Sequence, residues 1–445
     1  MTTRPLGHLL PRWGDDPAFR AALSGRGDVV LPDAVRPFFV AGLAAATEGC
    51  VLAVVPSDPD ADALAAAAGE FCEAALLASW DVLPYEGLSP DARSSARRIE
   101  ALRLLARTGG CRVVVASARG LIQKPAPGVA AMHPVRVRPG GTLDREELTG
   151  RLVGLGYERT DIAAEPGTFA VRGGVVDVFG AQETRVARIE LFGDDIESLR
   201  WVDPESQLSV SDAAEAVFVP RTELPPSPDV RTRAADAVKR LEGRPWFADV
   251  ADRLERIADG AVPEGAESVL PLIWDPARDS LGAQLPSDVT VVIFDPKRTF
   301  DEAAMAVEQE EELAALWTEP ARLQTDPSIR EPVAPRTRHE EMLLYQPLET
   351  VLDAIDAPVR HAGALTSDED APASDARPWE PGMSPRALLE RCRNLRADGY
   401  DLVFCALPHE APAVGTRLAE EELAGSAVVA SSLHQGFVAP SLRLA

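Results

Sequence analysis

Lysine is nearly absent from this chain of 445 residues: Lys124, Lys239 and Lys297 are the whole complement. None follows a glycine or precedes Ser or Thr, so no GxxxxGK(S/T) loop is present. Such a loop holds nucleotide phosphates on backbone amides and a lysine, and without it nucleoside triphosphate hydrolysis by these residues is not expected. The six histidines are dispersed and form no HExxH. The five cysteines (Cys50, Cys72, Cys111, Cys392, Cys405) form no CxxC pair, which argues against a disulfide framework and a zinc site. Cys50, Cys111 and Cys405 lie in or beside apolar runs and read as buried structural thiols. Positive charge is also short overall: the net charge is −25, which opposes binding to the DNA phosphate backbone. No apolar run approaches the roughly 18–20 residues of a membrane span. The opening MTTRPLGHLLPRWGDD meets Trp, Gly and two Asp too soon for a signal peptide. The expectation is a cytoplasmic protein without membrane contact.

What is present alternates helix with buried strand, which predicts a multi-domain α/β protein. Residues 1–133 carry helices over Pro17–Leu23 and Pro32–Ala46, and a continuous apolar strand, Cys50–Pro56. An Ala-rich helix capped by Ser57 or Asp58 is expected through Leu77, then a helix Pro90–Ala106 and a second buried strand, Cys111–Ser117. Residues 134–219 form an inserted antiparallel α+β unit: a strand Val135–Arg138, a helix Leu143–Leu155 with Thr142 as its N-cap, then short strands. Residues 220–320 begin Pro-rich and carry helices Val230–Leu241 and Phe247–Ile257. A third buried strand, Val289–Asp295, is expected to rejoin the first sheet ahead of an acidic helix Thr299–Trp317. Asp295 ends a run resembling an acidic Walker B strand, but Pro296 occupies the position of the second acid, so Asp295 reads as a solvent-facing or capping residue ahead of a metal ligand. Residues 321–347 read as a linker and 348–445 as a small separate α/β domain, cut within a strand at Ser441–Ala445.

The most patterned stretch is Glu165–Val210, with turn signals at Gly173-Gly174, Gly180–Glu183 and Gly193–Asp195 between β-branched and aromatic runs. Alternate residues of a strand share a face. From Val186, one face carries Val186, Arg188, Glu190 and Phe192, and the other Ala187, Ile189 and Leu191. The second set should pack on the helix Leu143–Leu155. The first brackets an aromatic with charge, as protein-docking hot spots do. A plainer reading stands beside it, in which Phe192 closes the strand end over its own core and the arginines pair with acids such as Glu190. Phe169 and Val171 fall on one face of their strand and Arg172 on the other. Tyr85 and Glu86 read as packing residues, and Arg93, Arg97 and Arg98 as a helical face paired with acids.

The text EPGTFAVRGGVVDVF, followed by RIELFGDDIESLR and DPESQ, resembles the second domain of the bacterial transcription-repair coupling factor (Mfd) family, a cousin of a domain in UvrB. WDVLPYEGLSP with ARRIEALRLL, and VLPLIWDPARDSLGAQLPSDVTVVIFDP, resemble the family's first domain and the return to it. The resemblance implies a UvrB-like module, with 1–133 as domain 1A, 134–219 as domain 2 and 220–320 as domain 1B, followed by domain 3. It implies a degenerate helicase-like sheet without catalytic residues, cofactor or metal, ATP and magnesium being used by motor domains outside these residues. It implies that domain 2 binds UvrA and is masked by the family's carboxy-terminal domain, while RNA polymerase and DNA are held by further domains. The family's UvrA-contacting residues fall on Arg172, Arg188 and Phe192, with Arg200 and Asp203 as polar neighbours. The alternative is a UvrB-like, damage-binding helicase subunit.

Overall fold

Three runs of six residues, Cys50–Val55, Arg112–Ser117 and Val289–Phe294, are buried along their whole length. Strands covered on both faces must sit inside a helix–sheet–helix sandwich, and parallel pairing supplies it. The computed structural model describes residues 4–25, 27–83, 87–243, 248–318, 342–364, 370–380, 382–433 and 435–445. In chain order the strands of the first unit are β1 (Asp28–Val30), β2 (Cys50–Val55), β3 (Glu73–Leu77) and β4 (Arg112–Ser117). The inserted unit adds β5 (Val135–Val137), β6 (Glu158–Arg159), β7 (Thr168–Arg172), β8 (Val175–Phe179), β9 (Val186–Phe192), β10 (Asp195–Val202), β11 (Ser209–Asp212) and β12 (Ala216–Phe218). Then follow β13 (Val289–Phe294) and β14 (Val359–Gly363).

The parallel sheet runs β1-β14-β13-β2-β4-β3. One face packs helices Ala92–Ala106, Pro228–Leu241 and Leu348–Ile355, and the other Pro17–Leu23, Arg36–Thr47 and Asp58–Ala68. As expected, β13 rejoins the first sheet, pairing with β2 from Val289 opposite Cys50. Just beyond it, both carboxyl oxygens of Asp295 accept from Arg36 Nη2, at 2.9 and 3.0 Å.

Several expectations are corrected. The helix begun at Asp58 ends at Ala68, and Glu73–Leu77 is a parallel edge strand rather than a continuation of it. An Ala- and Leu-rich run favours helix locally, but pairing along β4 overrides that weak preference. The helix of the inserted unit is Arg145–Gly154, capped by Asp144, whose Oδ1 accepts from the Glu147 amide at 2.8 Å. Thr142 instead bridges Asp195 across the sheet edge. Residues 348–363 do not open the last unit: β14 lies between β1 and β13 in the first sheet. The segment expected as a linker is partly core where it is described: Met342, Leu344 and Tyr345 are buried, and the Leu344 and Tyr345 amides both donate to Glu310. Residues 321–341 lie outside the described residues.

The last unit builds around the helices Pro385–Ala397 and Ala411–Glu420 and a parallel pair, Val403–Ala406 with Ala427–Ala430. Ser441–Ala445 forms a turn and isolated bridges rather than a strand, and Phe437 stacks on Phe38 of the first unit at 5.6 Å. Among the described residues no helix is long and apolar enough to cross a membrane.

Candidate protein-docking site

The inserted unit is a sheet of order β11-β10-β9-β8-β7-β6, antiparallel except for the short β6–β7 pair. Its inner face carries Phe169, Val176, Val178, Ala187, Ile189 and Leu199, all buried against Leu148 and Leu152 of the helix Arg145–Gly154. That is the side assigned to Ala187 and Ile189 by alternation. Every second residue must then point away from the helix.

Residues opposite one another in antiparallel strands share a face, so the register locates the outer side chains. Asp177 on β8 lies opposite Arg188 on β9, which lies opposite Arg200 on β10, itself opposite Asp212 on β11. One step along, Arg172 on β7 lies opposite Val175, Val175 opposite Glu190, and Glu190 opposite Ser198. Arg172, Arg188, Arg200 and, by alternation along β9, Phe192 therefore occupy one face. At the other end of that face a small apolar cluster of Ala163, Ala170, Phe179, Val186 and Val202 is covered, leaving the arginine half open.

Phe192 is 79% exposed, so it does not close the strand end over its own core. Such exposure of an aromatic beside charge is the feature of this unit that its own packing does not explain. Arg188 is held rigidly: Nε and Nη2 donate to the two oxygens of Asp177 at 2.7 and 2.9 Å. Asp177 is only 3% exposed, and the bidentate bond raises the Arg188 pKa above its ordinary value. The partner of Arg188 is thus Asp177 and not Glu190. Glu190 instead accepts from the Ser198 hydroxyl at 2.6 Å and stands 3.5 Å from Arg200 Nη2. Arg172 is exposed and donates to the Asp161 carbonyl at 2.9 Å. Asp203 is spent on its own turn, where bonds from the Ser206 amide and hydroxyl at 2.8 Å hold its carboxyl below the usual range.

Gly173 shapes the edge of this face with φ +63°, and Arg145 Nη1 ties its carbonyl to the helix at 3.0 Å. A Cβ at Gly174 would meet the Leu191 carbonyl oxygen at 2.7 Å. Sequence reasoning missed Asp177 as an organising residue. The available signal was a lone acid inside the apolar strand Val175–Phe179, which demands a buried cation. Of the other candidates, Arg97 pairs with Asp62 at 3.4 Å, and Arg98 is buried against Glu223 at 3.3 Å. Arg93 is exposed. Tyr85 and Glu86 lie outside the described residues.

Comparison with known proteins gives this unit a class. Residues 135–224 match the family described as UvrB interaction domain. A UvrABC system protein B from Streptomyces avermitilis is 35% identical over 133 residues, 29% of this chain and 18% of that protein. Over a longer stretch, the chain is 34% identical to a transcription-repair-coupling factor of Mycobacterium tuberculosis over 310 residues, 66% of this chain. The Escherichia coli protein of the same name is 27% identical over 268 residues, 59% of this chain. These matches span 25% and 23% of the two relatives, so the chain corresponds to about a quarter of their length. The chain is thus similar to the UvrB interaction domain over residues 135–224 and, over about two thirds of its length, to transcription-repair-coupling factors.

Proposed function

We propose that this chain is a docking platform by which a transcription-repair-coupling factor recruits UvrA to lesions where RNA polymerase has stalled. UvrA would meet the outer face of β7–β10 through Phe192, Arg172, Arg188 and Arg200. The platform works by surface complementarity and contributes neither ATP hydrolysis nor movement on DNA. Polymerase, DNA, ATP and magnesium are handled by segments outside these residues, and the parent protein's carboxy-terminal domain covers the face until engagement. The observation carrying this reading is an exposed Phe192 on the same open face as three arginines, one of them rigidly held. Phe192→Ala and Arg172→Ala, both at exposed positions, should each weaken UvrA binding in a pull-down and leave the circular dichroism spectrum intact. Unchanged UvrA binding by the double variant would refute the site. Tight, salt-sensitive binding of damaged duplex by this chain would favour the UvrB-like DNA-binding alternative.

A further inference from the structure

Two cysteines far apart in sequence begin neighbouring strands. Cys72 precedes β3 and Cys111 precedes β4, and these strands pair in parallel from Glu73 opposite Arg112. The two cysteines therefore stand side by side, one strand spacing apart, on the same face of the sheet. Neighbouring strands lie about 4.8 Å apart, within the Cα separations that a disulfide spans. Cys50, opposite Arg112 on β2, belongs to the other face and the other core. Both Cys72 and Cys111 are free thiols, and both line a solvent-open cavity with Arg4, His8, Leu10 and Phe71. Cys111 is half-buried and Cys72 is 4% exposed. β3 is the edge strand, so the small adjustment that bonding requires meets no further strand on that side.

We propose that Cys72 and Cys111 form a reversible dithiol–disulfide site oxidised by hydrogen peroxide. Cys111 is the nucleophile. Its thiol, which donates to the Ala41 carbonyl at 3.4 Å, is the more exposed of the two and is held below the ordinary value by the neighbouring Cys72, whereas Cys111 and burial push Cys72 up. The Cys111 thiolate attacks one peroxide oxygen, the O–O bond breaks, and the departing hydroxide takes up the thiol proton as water. Cys111 is then a sulfenic acid. The Cys72 sulfur attacks the Cys111 sulfur, the S–S bond forms, and the hydroxyl leaves with the Cys72 proton as a second water. Peroxide is reduced by two electrons and the two thiols are oxidised by the same two. The remaining cysteines lack such a partner geometry. Cys50 is pushed up to about 12 by burial, and burial also raises Cys392 and Cys405.

The test treats the full chain with hydrogen peroxide and maps its peptides without reduction. A linked Cys72–Cys111 peptide that dithiothreitol dissolves is expected, with Cys111 alkylated about tenfold faster than Cys392 before oxidation. In Cys72→Ser the sulfenic acid at Cys111 should persist and be trapped by dimedone. In Cys111→Ser no dimedone adduct should form at Cys72. Absence of the linked peptide, or modification of Cys405 or Cys392 as fast as of Cys111, would overturn the assignment. These readouts are independent of UvrA binding.

Discussion

Phe192 and Arg188 stand two residues apart on β9 and are governed by different forces. Phe192 touches little of its own unit, so truncating it removes almost nothing that folding created. Phe192→Ala should change stability by no more than about 0.5 kcal/mol. On the proposed reading it costs roughly 2 kcal/mol in docking, about thirtyfold in Kd by calorimetry. Equal affinity for UvrA would remove Phe192 from the interface. Arg188 does structural service as well. Arg188→Ala leaves the carboxylate of Asp177, only 3% exposed, without its cation. Stability should fall by about 2 kcal/mol in urea, below the loss for a fully buried pair because Arg188 keeps 21% of its side chain exposed. The double variant Arg188→Ala/Asp177→Ala should recover part of that loss. If both variants unfold at the same urea concentration, the pair is not what holds the two strands. A docking defect in Arg188→Ala must therefore be read against its melting curve.

At the scale of elements, buried strands and capped helices were legible and boundaries set by pairing were not. Pro17–Leu23 and β2 follow from a proline at a helix start and from continuous apolar runs. β3 was not legible, because Glu73–Leu77 is a strand only through its contact with β4. The placement of Leu348–Ile355 makes the same point. This helix packs so closely on Leu281–Gln284 that a Cβ added at Gly282 would collide with the Ala354 carbonyl. Gly282→Ala should cost about 1–3 kcal/mol by overpacking and lower the melting temperature of the first unit. A neutral outcome would mean that the two helices do not meet as described.

The whole molecule is joined where the inserted unit returns to the first. Just after it, Glu223 accepts from Trp80 Nε1 at 2.6 Å and faces Arg98, and Thr222 donates to Glu267 at 2.6 Å. Ser89 also donates to Glu267, at 2.9 Å. Burial pushes the Glu267 carboxyl above its ordinary value of 4.5. Below about pH 4.5 folded and unfolded chains both hold that proton. As pH rises the unfolded chain releases it first, so the stabilisation is lost as pH climbs through the raised folded value. The melting-temperature advantage of the native chain over Glu267→Gln should accordingly be largest in acid and shrink toward neutral pH. An advantage that grows with pH would contradict this assignment.

Local pattern alone was enough to name the residues of the proposed docking face. Strand alternation separates Arg188 and Phe192 from Ala187 and Ile189, because successive side chains point to opposite sides whatever the neighbours. It also determined that the large sheet lacks a phosphate loop, since no lysine stands where one is needed. Long-range pairing was needed to put Arg172, Arg188 and Arg200 on one side, to give Arg188 to Asp177 rather than Glu190, and to set Cys72 beside Cys111. Those facts depend on strand register, which is set by contacts between residues distant along the chain and leaves no mark in any single segment.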